Sequence, residues 1–130
     1  MIRSIAAVAA GYVTTLVGVS TFFAIVMVLA FGGMPADAAT FHPPSWLLWL
    51  EIAFSPVLAA AGGYVCAWIA REREMRHACA LAAVMVVMGA ISVVGDAGLK
   101  PMSSTIAVVV LGIAGALGGA WLRVAQGRRP

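Results

Sequence analysis

Residues 52–95 read IAFSPVLAAAGGYVCAWIA, then REREMRH, then ACALAAVMVVMGAISVVG: nineteen residues without a charge, a short stretch carrying five charged side chains, and eighteen more without a charge. A helix needs about 20 apolar residues to cross a hydrocarbon core of about 30 Å. The stretch therefore reads as two membrane helices joined by a charged connection. The runs lack the in/out alternation of a barrel wall. An unpaired backbone amide in lipid costs several kcal/mol, so each run is expected to be helical.

The same pattern continues on both sides. Upstream, Ser4 to Ala36 carries no charge; downstream, neither does Pro101 to Leu122. The 130 residues are 63% hydrophobic and only 10% charged, against about 25% charged residues in a soluble domain. Too few polar side chains remain to cover a water-facing surface. The expectation is a single all-α transmembrane domain over residues 1–130. Its helices are predicted at about 4–33, 45–71, 77–95 and 101–123, in an up-down-up-down bundle.

Charge sets the orientation. Lys and Arg close to membrane segments stay on the cytoplasmic side. Arg3 precedes the first run, Arg71, Arg73 and Arg76 lie between the second and third, and Arg123, Arg128 and Arg129 follow the fourth. Seven of the eight basic residues thus fall on one side, with Lys100, Asp37 and Asp96 on the other. Both termini are expected in the cytoplasm, in a multi-pass protein of the inner membrane. Trp46, Trp49, Trp68 and Trp121 stand near helix ends, as interfacial indoles do. The net charge of +3 then reflects topology and contact with anionic head groups. No basic stripe with interleaved aromatics points to nucleic acid.

Arg3, the apolar run after it and Ala36-Asp37-Ala38 imitate a secretory signal with its cleavage site. The run is about twice the 7–15 residues of such a signal and long enough to span by itself. The first helix is expected to be retained; cleavage would leave three.

Gly32-Gly33-Met34-Pro35 ends the first helix, and Pro43-Pro44 allows the second to begin, with Ser45 as its predicted cap. Residues 71–77 are expected to continue the helices into water, and residues 95–101 to form a turn. Both inward-running helices finish alike, with Gly62-Gly63 before Trp68 and Gly118-Gly119 before Trp121. This hints at two related helix pairs.

Helices in lipid associate where small residues let backbones approach. Ala7, Gly11, Thr14, Gly18 and Thr21 form one seam; Ser55, Ala59, Gly62 and Cys66 form another, beside Gly63. Ala82, Met85, Gly89, Ser92 and Asp96 line a third. Gly112, Gly115 and Gly119 line the fourth helix, with Gly115-x-x-x-Gly119 as a GxxxG face that suits either this bundle or a second copy of the chain.

Two carboxylates are candidates for chemistry. Glu51, near the start of an apolar helix, is either an interfacial carboxylate favoured by the helix dipole or a proton or cation site. Asp96 ends the third helix on the same side, with Lys100 four residues on as a salt-bridge partner. Were Glu51 and Asp96 to converge, they could share a proton or bind a cation. His42 and His77 fall on opposite faces and cannot share a metal. Cys66 and Cys79 have no C-x-x-C and read as packing residues. Phosphate-binding glycine loops and zinc motifs are absent. No enzyme activity, cofactor or metal is expected.

The segment Ala61-Gly62-Gly63-Tyr64-Val65-Cys66-Ala67-Trp68-Ile69-Ala70-Arg71 resembles the glycine-pair helix and basic loop of small bacterial four-helix inner-membrane proteins. That likeness covers about one helix and implies an inner-membrane bundle without an assigned activity. Small multidrug transporters differ in carrying a glutamate within the first helix, and quinone-linked thiol oxidoreductases in their C-x-x-C; neither feature is present here. The function expected is a non-catalytic accessory or oligomerising membrane subunit, with the bilayer and a second copy or another membrane protein as partners. The alternative is a minimal oligomeric transporter or channel, proton- or cation-coupled through Glu51.

Overall fold

The computed structural model describes residues 2–34, 37, 40–71, 73–95 and 98–127, with Ile2 and Arg3 described by backbone alone. Asp96, Arg128, Arg129, and Ala36 and Ala38 of the cleavage-like triplet lie outside the described residues. The chain is all-α: α1 is Ile2–Phe31, α2 Ser45–Ala70, α3 Glu74–Gly95 and α4 Met102–Gly127. Each helix is long and apolar enough to cross a membrane.

The helix ends differ from the expected ones for local reasons. α1 stops at Phe31 because Gly32 turns with φ +73° and its N–H returns to the Val28 carbonyl at 3.1 Å. Ser45 is not the cap of α2: Pro44 takes that place in an extended conformation, and its carbonyl accepts from the Leu47 N–H at 3.0 Å. The charged connection does not continue α2, but its second half, Glu74 to His77, forms the first turn of α3. Arg71 and Arg73 both adopt positive φ, 55° and 51°, so α2 ends at Ala70 and α3 starts three residues earlier than expected. α4 runs to Gly127, about one turn beyond its expected end.

The chain direction alternates from helix to helix, but the helices are not ringed in chain order. α1 and α4 each pack against α2 and α3 and do not touch one another, while α2 also meets α3. Around the bundle the order is therefore α1, α2, α4, α3, which places α2 and α4 side by side and parallel. Ser55 pairs with Val108 in the N-terminal halves of the two helices and Tyr64 with Gln126 toward their C-terminal ends.

Glycines decide this arrangement. A Cβ on Gly119 would fall on the Ala60 carbonyl oxygen, and one on Gly63 on the Ala116 carbonyl oxygen. Ala60 and Ala116 lie fifty-six positions apart, as do Gly63 and Gly119. The crossing is thus reciprocal, with each helix offering an Ala carbonyl and, three residues on, a glycine to receive its partner's. Gly115 sits in the same way on the backbone of Pro56, and Gly112 faces Ala59 and Ser55. The likeness between the inward helices seen in the sequence marks the surfaces by which they meet.

The α1–α2 contact also relies on close approach. A Cβ on Gly11 would lie 2.7 Å from the Cys66 Cβ, and one on Gly62 would strike the Thr15 hydroxyl. Thr15, not Thr14, is the buried threonine of this seam, and it returns its hydroxyl to the Gly11 carbonyl at 3.1 Å. On α3 the buried residues are Ala78, Leu81 and Gly89. Gly89 lies on the expected seam and Met85 packs against the core, but Leu81 is buried where Ala82 was expected and Ser92 is exposed. Gly18 meets Leu58 at an ordinary 3.6 Å.

Ala7, Cys66, Ala67, Ala78, Leu81, Ala116 and Ala120 are fully buried toward the arginine-bearing end, and Met27 toward the other. Large apolar side chains such as Ile5, Leu29, Val57 and Val94 point outward, a waste in water but favourable against acyl chains.

Candidate functional site

Glu51 lies in the seventh position of α2, and Lys100 stands just before α4. Because α2 and α4 start at the same end of the bundle and run parallel, the two side chains come to one depth. The Lys100 Nζ donates to Glu51 Oε1 at 3.2 Å, with 18% and 28% of the respective side chains exposed. The ammonium reaches along the bundle on its apolar stem, as lysines near membrane interfaces do. The four-residue spacing of Asp96 and Lys100 had suggested a local partner; the described partner of Lys100 is forty-nine positions away in sequence.

This pair changes the chemistry available to Glu51. An ammonium already occupies the position a bound cation would take, so the carboxylate is neutralised from within the chain. One turn further in, Ser55 donates to the Val108 carbonyl at 2.9 Å, a second polar link between α2 and α4.

Two hollows lie below the ion pair. A hollow of about 60 Å³ touches Glu51, Phe22, Phe54 and Val108. A second of about 170 Å³, lined by Tyr12, Thr15, Ser55 and Gly112 among others, occupies the middle where α1 and α4 stand apart. Ser55, Val19 and Val108 border both. Further in, the contact of Gly11 with Gly62 and the fully buried cluster around Ala7, Cys66 and Leu81 close the path. The hollows are blind at the arginine end.

The other candidates are dispersed. His42 lies in the connection between α1 and α2, where its Nδ1 is 2.9 Å from the Thr40 carbonyl. His77 lies at the start of α3, at the opposite end of the bundle, with its Nδ1 3.1 Å from the Arg73 carbonyl. Cys66 is buried under Gly11 and Cys79 is exposed, both as free thiols. Among the described residues no three of His, Cys, Asp and Glu gather. Arg71, Arg73, Arg76 and Arg123 share the end opposite Lys100. Trp46 and Trp49 expose their rings toward one end, and Trp68 and Trp121 toward the other.

Sequence reasoning found Glu51 but not its partner, nor the Ser55–Val108 bond. The available signal was depth: two inward-running helices start on one side, so residues near their starts share a level. Protein-family models, curated proteins and solved structures were all compared with this chain, and none matches it.

Proposed function

We propose that the chain is a four-span inner-membrane protein with both termini in the cytoplasm, acting as a non-catalytic subunit that assembles with another membrane protein or a second copy of itself. The observation that carries this reading is the Glu51–Lys100 ion pair, which leaves Glu51, the one carboxylate of α2, neutralised by the chain itself. The arginines of one bundle end and the tryptophans of both support the orientation.

Assembly has to use a particular surface. Gly115 and Gly119 are taken up by Pro56 and Ala60 of the same chain, so the GxxxG face is not free for a neighbour. Contacts fall instead on the outward faces of α1 and α3, which do not meet α4 and α2 as fully.

Orientation is tested with single cysteines at Thr40 and Met75, in a chain otherwise freed of thiols, using a membrane-impermeant maleimide on intact spheroplasts. Labelling at position 40 alone is expected; labelling at position 75 alone would invert the topology. Assembly is tested by native mass spectrometry after mild detergent extraction. A species larger than the 13.4 kDa chain is expected, and a lone monomer at every detergent concentration would sink the subunit reading.

The hollows leading inward from Glu51 favour a second reading, in which the ion pair opens and Glu51 carries a proton or cation through a rearranged bundle. Flux into proteoliposomes that Glu51→Gln abolishes would put this reading first. Equal flux from the variant and the wild type would remove it.

A further inference from the structure

At the arginine-bearing end a groove of about 720 Å³ opens between the first half of α1 and the first half of α3, within the range of small-molecule sites. It flanks the buried cluster that includes Ala7 and Leu81. Its walls are apolar, from Ile5, Val8 and Tyr12 of α1 and from Ala80 and Val84 of α3. At its mouth stand Arg73, Arg76 and His77. Here the structure combines two features a lone basic patch or a lone apolar groove lacks: a cationic mouth and an apolar floor continuous with it.

The geometry is that of an amphiphile site. From His77 to Val84 is seven residues of helix, about 10 Å at 1.5 Å per residue, most of the ~15 Å depth of one leaflet's hydrocarbon. The His77 Nδ1 donates to the Arg73 carbonyl at 3.1 Å, which fixes the ring beside the arginines. The amides at the start of α3 add their positive dipole end. No acidic side chain among the described residues lines the groove. Glu74 faces the neighbouring hollow with Arg71, Val124 and Gly127, and Arg73 and Arg76 border both hollows.

We propose that this groove holds one anionic phospholipid of the leaflet at the arginine end. Its phosphate lies against Arg73 and Arg76, and an acyl chain runs along Val8, Tyr12 and Val84. The arginine forks match a phosphate with two oxygens each, and an uncharged lipid gains only the apolar part. The inference rests on the membrane-spanning reading, and the two fail differently. Extraction of the chain from membranes by alkaline carbonate would sink the span, whereas an integral protein without lipid preference sinks only the site.

The test is native mass spectrometry of the full chain in micelles with equal amounts of phosphatidylglycerol and diacylglycerol of identical chains. Retention of one phosphatidylglycerol, preferred by about ten-fold, is expected from two basic contacts. Arg73→Asn, which tolerates the positive φ at that position, combined with Arg76→Gln should bring the ratio near one. Arg71→Asn removes a charge at the same end but outside the groove and should leave the ratio within about two-fold. Equal loss on Arg71→Asn, or no loss in the double variant, would overturn the proposal. Displacement of the lipid by millimolar inorganic phosphate would also overturn it, since a simple anion site needs no acyl chain. Ala80→Trp, which fills the floor and keeps both arginines, should lower retention of both lipids; unchanged retention would likewise refute the groove as the site.

Discussion

Gly63 of α2 and Ala116 of α4 meet backbone to backbone: the place a Cβ would take on Gly63 is held by the Ala116 carbonyl oxygen. The glycine hydrogen in that direction points at the carbonyl, the Cα–H···O arrangement that recurs between closely packed helices. Since lipid tails are as apolar as leucine, such close approach supplies much of what keeps two helices together in a bilayer.

Gly63→Ala and Gly119→Ala should each destabilise the bundle by about 1–3 kcal/mol, the usual range for overpacking. Because both residues act at one crossing, the first substitution already separates the helices. The double variant should lose less than the two single effects combined. Unfolding by denaturant in lipid micelles measures all three. Gly118→Ala, where a Cβ meets open space, serves as the control and should be neutral or slightly stabilising through helix propensity.

Glu51→Gln and Lys100→Met should each weaken the bundle, and a double-mutant cycle should return a coupling of about 1 kcal/mol. Exchanging the two as Glu51→Lys with Lys100→Glu should recover part of the loss only, since a lysine in the first two turns of α2 opposes the helix dipole. Zero coupling would mean that the contact contributes nothing in the membrane.

Ser55→Ala removes the hydroxyl that donates to the Val108 carbonyl. A loss of about 0.6 kcal/mol is expected, typical of one hydrogen bond between membrane helices. The same unfolding measurement checks it, with Ser103→Ala on the exposed start of α4 as a reference.

Cys66 is fully buried and Cys79 exposed. A small uncharged, membrane-permeant thiol reagent should modify Cys79 at least about ten-fold faster while the bundle is intact, because reactivity needs access. Addition of a strongly denaturing detergent should bring the two rates together. Equal rates in the folded protein would contradict the packing of α1 on α2.

The number and approximate limits of the helices were legible because each run is long and the charges fall between the runs. The partners of each face were not. On the third helix Met85 and Gly89 were legible as inward-facing, but alanine is so common that Ala82 looked as plausible a neighbour for them as Leu81. Gly112, Gly115 and Gly119 announced a close contact but not that Pro56 and Ala60 would fill it. Lys100 illustrates the same gap: local spacing pointed to Asp96, which lies outside the described residues, and gave no sign that the shared starting level of two parallel helices brings Lys100 to Glu51. Cap geometry was misread at Ser45, since a proline in extended conformation terminates the helix with its carbonyl alone.

The side-by-side placing of α2 and α4 also constrains how the protein is made. These helices run in the same sense, so α3 must return between them. Until α4 exists, the backbone strip at Pro56, Ala60 and Gly63 has no partner. A chain interrupted before Met102 would lack the joint that holds α2 most closely. The contact on which the bundle most depends is the last that the chain can complete.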